Sequence, residues 1–377
     1  MKFSHLLTLS VISVLSSCSK TESQDQTTAS NFDPLKATNY KVDIGWPQKL
    51  PNGWILGETP GLAIDKNDHI WVFQRPGSLS PRELGASDSI PTKECCAPAP
   101  SVIEFDSAGQ VVNSWNIFEE EVSDEPDQLW SGAEHGIYVD DNDFVWVTDP
   151  KNHLVIKLTK EGKKLLEIGI KGETKGSNDT TTLGGPADIA VDIEADEVYV
   201  ADGYVNRRII VFDASSGAYK RHWGAYGEKP HDDELPPRQA GDDPIKSFRT
   251  AVHAVTISNE GNVYVADRTN NRIQIFKKDG SFAKETFVKN DGSNGTIWDI
   301  EFSRDPEQTY MYVADGANMK VWILDHASLE IVSSFGYGGR NSGQFGWVHS
   351  LAVDKNGNIY TSEVNPGKRV QKFSPVE

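Results

Sequence analysis

Ala254-Val255-Thr256-Ile257-Ser258 runs into a polar turn, then into Tyr264-Val265-Ala266-Asp267, and after a second turn into Ile273-Gln274-Ile275-Phe276. Short runs of β-branched and aromatic residues, cut by turn residues, predict three strands of an antiparallel meander. The phrase returns along the chain. Gly61-Leu62-Ala63-Ile64-Asp65 precedes Trp71-Val72-Phe73-Gln74, and Gly136-Ile137-Tyr138-Val139-Asp140 precedes Trp146-Val147-Thr148-Asp149. Asp188-Ile189-Ala190-Val191-Asp192 leads to Tyr199-Val200-Ala201-Asp202, and Asp299-Ile300-Glu301-Phe302-Ser303 to Tyr312-Val313-Ala314-Asp315. Ser350-Leu351-Ala352-Val353-Asp354 with Tyr360-Thr361-Ser362-Glu363 is the sixth copy. Ile209-Ile210-Val211-Phe212 is a further third strand, and Tyr219-Lys220-Arg221-His222-Trp223 a fourth.

Six copies at intervals of roughly 45–75 residues imply a propeller or a solenoid. Short strands with few helical patterns favour the propeller, whose closure removes exposed edges. The phrase resembles the NHL-type repeat, so the expected fold is an all-β, six-bladed β-propeller of NHL-type repeats over residues 37–377. The last copy ends soon after Val370-Gln371-Lys372-Phe373 without a fourth strand. Tyr40-Lys41-Val42-Asp43-Ile44, ahead of the first copy, can fill that gap and clasp the two ends. Residues 227–247, rich in Pro and Asp, read as a surface loop.

The N-terminal stretch has another use. Lys2 and the apolar run Leu6 to Leu15 lead to Leu15-Ser16-Ser17-Cys18, which reads as a lipobox. The run is too short to span a membrane. Residues 1–17 are therefore expected to be a lipoprotein signal peptide, and residues 18–36 a polar tether lipidated at Cys18. This places the protein in the cell envelope, at the outer membrane and periplasm or the cell surface, with a membrane partner through the anchor. The formal charge of −18 argues against nucleic acid as a partner. Cys95 and Cys96 are adjacent. They are either a vicinal disulfide of an oxidising compartment or two loop cysteines without chemistry.

The first strand of each blade lines a propeller's channel, so equivalent positions meet near the axis. The residue just before each opening strand is Pro60, His135, Ala187, His253, Trp298 and His349. The chain has nine histidines in all, so three in six equivalent slots is far more than composition places there. They fall on blades two, four and six, about 120° apart in a six-fold ring. Three imidazoles with an open fourth position suit catalytic zinc, although Cu²⁺, Ni²⁺ and Fe²⁺ also accept imidazole. The alternative is three histidines that fill space and bond to carbonyls. A second register follows the second strands: Arg75 after Gln74, Arg268 after Asp267, and Tyr204 two residues past Asp202. Arginine can hold a carboxylate bidentately, and a tyrosine beside a metal and an arginine can have a lowered pKa and act as a base. The plain alternatives are an arginine paired with a repeat aspartate and a tyrosine covering a turn.

These segments resemble the peptidyl-α-hydroxyglycine α-amidating lyase family from about Gly61 to the C-terminus. Val72-Phe73-Gln74-Arg75 is similar to the segment with the family's first active-site arginine. His135-Gly136-Ile137, Val252-His253 and Val348-His349 are similar to its three zinc-ligand motifs. Asp202-Gly203-Tyr204-Val205-Asn206 resembles the segment of its catalytic tyrosine, and Asp267-Arg268-Thr269-Asn270 that of its second arginine. The resemblance implies a six-bladed propeller with Zn²⁺ on His135, His253 and His349, and Tyr204, Arg75 and Arg268 as catalytic residues. It implies a small acylated or peptidyl α-hydroxyglycine as substrate, split at its C–N bond into an amide and glyoxylate. Ser350 stands where the family has an aspartate that helps bind structural Ca²⁺, which puts Ca²⁺ in doubt. Trp347 replaces a methionine, and Val205 a disulfide cysteine. Two other readings stay open: another metal-dependent propeller lyase or hydrolase, and a non-catalytic propeller that binds a protein or glycan.

Overall fold

The computed structural model describes Met1 and residues 33–85, 95–117, 134–242, 245–291 and 295–377. The signal peptide, Cys18 and most of the expected tether lie outside the described residues.

Each repeat folds into one four-stranded antiparallel sheet. Blade 1 comprises Glu58–Ile64, Ile70–Arg75, Val102–Phe105 and Val111–Trp115, and blade 2 comprises Ile137–Val139, Val145–Asp149, Leu154–Leu158 and Lys164–Ile168. Blade 3 is Pro186–Asp192, Glu197–Asp202, Arg208–Asp213 and Tyr219–Trp223; blade 4 is Val252–Ile257, Asn262–Asp267, Arg272–Lys277 and Phe282–Phe287. Blade 5 is Asp299–Phe302, Tyr310–Asp315, Lys320–Asp325 and Ile331–Phe335. Blade 6 takes Val348–Val353, Ile359–Glu363 and Arg369–Val376 from the C-terminus and Asn39–Asp43 from the other end of the domain. Asn39 pairs with Val376 and Asp43 with Lys372, so the expected clasp is made by ten backbone partners in antiparallel register. First strands of consecutive blades neighbour one another, and that of blade 6 returns to blade 1.

The repeat phrase has a physical origin. Asp65, Asp140 and Asp354 end their first strands, and one carboxylate oxygen of each accepts two backbone N–H groups of the following turn. The other oxygen accepts from the aromatic six residues on: Trp71 at 3.3 Å, Trp146 at 3.0 Å and Tyr360 at 3.1 Å. The strand-ending acid and the Trp or Tyr that opens the next strand thus form one buried unit. Arg208 pairs with Asp202, Arg272 with Asp267, and Arg369 with Glu363, which locks third strands to second strands.

The apolar faces meet between blades. One cluster lies at each of the six junctions, such as Trp71, Phe73, Val147 and Ile156 between blades 1 and 2 or Tyr360, Ala352, Val72 and Phe105 between blades 6 and 1. Stacked sheets of this kind bury both faces of every strand except the outermost.

The tether ends earlier than expected. Asp33 accepts the N–H of Leu35, Pro34–Lys36 form a 3-10 turn, and Lys36 reaches Glu307 at 3.5 Å and Asp305 at 3.9 Å. Pro34 also lies against Gly357 of blade 6, so residues 33–36 belong to the propeller surface. The Asp-Pro capping pair and one lysine suffice to dock a segment whose composition reads as solvated. Cys95 and Cys96 are joined as a vicinal disulfide.

Candidate metal centre

A cavity of about 600 Å³ follows the ring axis and is walled by the first strands. His135, His253 and His349 line one end of it. The backbone places them there by a repeated device. Pairing slips by one residue between Val252 and Ala254, between Val348 and Ser350, and between Pro186 and Asp188. Such a bulge leaves the middle residue out of the ladder and re-aims its side chain. His253 and His349 are these extra residues. His135 precedes a shortened first strand that begins at Ile137.

The odd-numbered blades support the histidines of the even-numbered ones. His135 Nδ1 lies 2.7 Å from Ala187 O, His253 Nδ1 2.6 Å from Trp298 O, and His349 Nδ1 2.7 Å from Pro60 O. These carbonyls belong to the slot residues of blades 3, 5 and 1. A carbonyl only accepts, so each Nδ1 carries the proton and each Nε2 holds its lone pair free. The three rings stand 4.8–5.0 Å apart by centroids, and one ligand atom from each lies within 4.8 Å of the others. Burial, then the Arg75 charge, lowers the His135 pKa to about 3. Burial likewise holds His253 and His349 well below the usual imidazole range. Three buried, neutral imidazoles with oriented Nε2 atoms fit a borderline cation such as Zn²⁺.

The second-register residues meet on the side of the tripod away from the cavity, whose lining includes none of them. Tyr204 Oη is 2.7 Å from His135 Nε2 and 3.1 Å from His253 Nε2. Its turn is held by Gly203 and Tyr204 N–H groups on Gly185 O, and by Val205 and Asn206 N–H groups on Gly184 O. Arg268 lies with its guanidinium carbon 5.7 Å from the Tyr204 ring and 4.7 Å from the Trp298 ring. Arg75 is fixed by Nε on Glu134 O at 2.9 Å and Nη1 on Glu58 Oε2 at 2.8 Å. The sequence expectation of a lowered Tyr204 pKa is not met by the protein groups. Burial raises it, and the Arg268 and Arg75 charges pull only partly against that.

Sequence reasoning missed two contributors. Glu58 orients Arg75 from seventeen residues upstream, and no local pattern marks it. Trp298 occupies a slot that reads as a non-ligand. Its ring packs 5.5 Å from His253 and 5.2 Å from His349, and Trp347 stacks edge-on against it at 5.7 Å. Ser350 Oγ donates to Asp299 Oδ2 at 2.7 Å, so a hydroxyl engaged with a neighbouring acid occupies the position discussed for Ca²⁺. Asp65, His69 and Glu104 form a second group with metal-ligand side chains. There Lys160 supplies the cation, 3.2 Å from Asp65 and 4.0 Å from Glu104.

A family model described as NHL repeat matches residues 252–276, the first three strands of blade 4. NHL repeat-containing protein 3 of Mus musculus is 26% identical over 370 residues, covering 91% of this chain and 85% of that protein. Peptidyl-glycine alpha-amidating monooxygenase B of Xenopus laevis is 29% identical over 359 residues, covering 89% of this chain and 36% of that protein. The chain thus spans about a third of that relative's length. A probable peptidyl-alpha-hydroxyglycine alpha-amidating lyase of Caenorhabditis elegans is 24% identical over 322 residues, with 83% and 81% of the two chains covered. With its repeat signature and six four-stranded blades, the chain is an NHL-repeat β-propeller, similar over most of its length to proteins named NHL repeat-containing protein 3 and peptidyl-alpha-hydroxyglycine alpha-amidating lyase.

Proposed function

We propose that the protein is a zinc-dependent lyase that splits an N-acyl or peptidyl α-hydroxyglycine into an amide and glyoxylate. One observation carries this reading: Tyr204 Oη sits against the Nε2 atoms of two of three converging, carbonyl-locked histidines. A structural tripod needs no phenol there. Zinc held by His135, His253 and His349 would supply Lewis acidity to a substrate oxygen. Arg268 and Arg75 offer guanidinium edges to the glycine carboxylate. Tyr204 would take the α-hydroxyl proton, with the charges of a bound zinc, Arg268 and Arg75 offsetting the burial that raises its pKa. The O–H electron pair becomes the second C–O bond, the C–N pair leaves with the amide nitrogen, and that nitrogen gains a proton. One proton leaves oxygen and one arrives on nitrogen, so the reaction needs no redox partner.

Under the same proposal Cys18 is acylated and holds the propeller at a cell-envelope membrane, where a small acylated or peptidyl substrate meets it. Ca²⁺ is not needed for this reading, and its site stays in doubt because Ser350 offers no carboxylate.

The test compares the full chain with a His135→Ala/His253→Ala/His349→Ala variant. Metal content by mass spectrometry and glyoxylate release from an N-acyl α-hydroxyglycine are measured on both. About one zinc per chain and glyoxylate release, both lost in the variant, support the reading. A chain that takes up no zinc overturns it in favour of a binding propeller. Zinc without glyoxylate release points instead to another metal-dependent reaction.

A further inference from the structure

The residues that follow the second strands form a rim around the tripod, and the rim is divided by chemistry. Blades 1 and 4 place Arg75 and Arg268 there, and blade 3 adds Tyr204. Blades 5 and 6 place Gly316 and Val364 directly after their second strands. Gly316 has no room for a side chain, because a Cβ would lie 2.6 Å from the Trp298 ring. Val364 is buried, and its N–H donates to Trp347 O at 3.1 Å. Over these two blades the rim is therefore made by indoles. Trp298 lies against His253 and His349, and Trp347 stands edge-on to it with centroids 5.7 Å apart and planes at 76°. Trp347, like Tyr204 and Arg268, does not line the axial cavity. Arg268 covers the Trp298 ring at 4.7 Å, which joins the apolar sector to the polar one.

Comparison between blades shows that the fold requires neither indole. The carbonyls that lock the histidines come from Ala187, Trp298 and Pro60 alike, so a small side chain suffices in that slot. Blade 4 builds the blade 6 corner with a methyl group. Arg268 N–H donates to Ala251 O at 3.3 Å, as Val364 N–H donates to Trp347 O, and the bulged histidine lies two residues further on in both blades. Ala251 is buried, whereas Trp347 leaves 39% of its surface exposed. Its backbone is also held at φ +74°, a conformation that favours glycine. Strain kept where a smaller residue or glycine would serve points to a use for the side chain.

We propose that Trp298 and Trp347 form an apolar ledge that receives the acyl group of the substrate and selects an aromatic acyl group over a small one. The inference rests on the lyase reading for the other half of the substrate. Its carboxylate goes to the arginines of blades 1 and 4 and its α-hydroxyl to the tripod and Tyr204, which leaves the acyl group to blades 5 and 6. Two indoles set edge-on make a corner that an aryl ring fills by stacking on one and meeting the other at its edge. Trp298 is the fixed inner wall, with Nε1 donating to Gly295 O at 2.6 Å. The exposed Trp347 is the specificity-determining residue.

The test uses the full chain with zinc added. It measures kcat/KM for N-benzoyl and N-acetyl α-hydroxyglycine, and calorimetric binding of the unreactive N-benzoylglycine and N-acetylglycine. The benzoyl compound is expected to be favoured about tenfold or more in both measurements. That ratio should fall at least about fivefold in Trp347→Gly and less in Trp347→Phe, which keeps a ring. Both substrates are read on one preparation, so any loss of folded protein cancels from the ratio. Glycine also adopts φ +74° without strain, which keeps the corner closed. Glyoxylate release with no benzoyl preference, or with a preference that Trp347→Gly leaves unmoved, overturns the ledge while the lyase reading stands. No glyoxylate from either substrate overturns the lyase reading instead. The binding ratio of the two acylglycines, in wild type and Trp347→Gly, then decides the ledge by the same criterion.

Discussion

Tyr204 Oη stands 2.7 Å from His135 Nε2, and the two residues come from different blades. His135 precedes the first strand of blade 2, whereas Tyr204 follows the second strand of blade 3. Because that Nε2 is a pure acceptor, the phenol O–H points into the tripod. The hydroxyl can therefore be removed with little disturbance to the rings. Tyr204→Phe should keep its zinc and lose about 10²- to 10⁴-fold in glyoxylate release, the usual share of a general base. Metal content and kcat on one preparation check this. Full activity in the phenylalanine variant would assign proton removal to another group.

Gly203 sets the approach of that tyrosine to blade 4. A Cβ on Gly203 would lie 2.0 Å from Val252 O and 2.3 Å from Val252 N, next to His253. Both are backbone atoms of a paired strand, so neither can swing aside. Gly203→Ala should cost about 1–3 kcal/mol of stability and weaken metal retention as well. Denaturant unfolding of the metal-free protein and zinc titration measure the two effects separately. An alanine variant with unchanged stability would mean that the Tyr204 turn is free to shift.

The repeat, the ring and both site registers were legible in the sequence because each is a local phrase repeated. The acid-to-aromatic spacing seen in Asp65 and Trp71 follows from one hydrogen bond, so it survives at a fixed offset in several blades. Glu58 and Trp298 were not legible. They act across a strand pair or between blades. The docking of residues 33–36 was hidden for a different reason: a few ion pairs and a cap hold a segment with no apolar pattern. The burial of Tyr204, which raises its pKa, was hidden as well, because sequence shows the charges beside a phenol but not its desolvation.

Glu58 is expected to tune substrate binding without entering the chemistry. It and Glu134 O fix two nitrogens of Arg75, so the remaining Nη edge has a defined direction. Glu58→Ala should raise KM for a carboxylate-bearing substrate about tenfold, the equivalent of one lost oriented hydrogen bond. Glu58→Gln retains an acceptor and should raise KM less, with kcat close to wild type in both. A fall in kcat with KM unchanged would instead tie Glu58 to the transition state.

The channel wall should make stability depend on pH in a direction opposite to that of most carboxylates. Burial raises the pKa of Asp188 to about 7, and burial and then the Asp188 charge push Asp299 well above its usual value. A carboxyl with a raised folded pKa binds its proton more tightly when folded. Its contribution is fully present below the unfolded value near 4 and is lost as pH rises toward 7. Between those limits the metal-free protein should lose stability with rising pH on account of this pair. Asp188→Asn removes the ionisable group while its side-chain oxygen can still accept from Val255 N, which lies 3.1 Å from Asp188 Oδ2. The variant should therefore melt a few degrees higher than wild type at pH 7.5 and match it near pH 4, with a shift of order 2–4 °C per kcal/mol for a chain of this size. Scanning calorimetry at the two pH values decides it. A variant less stable at pH 7.5 would show that Asp188 is held as a carboxylate, and the channel would then need a cation beside it.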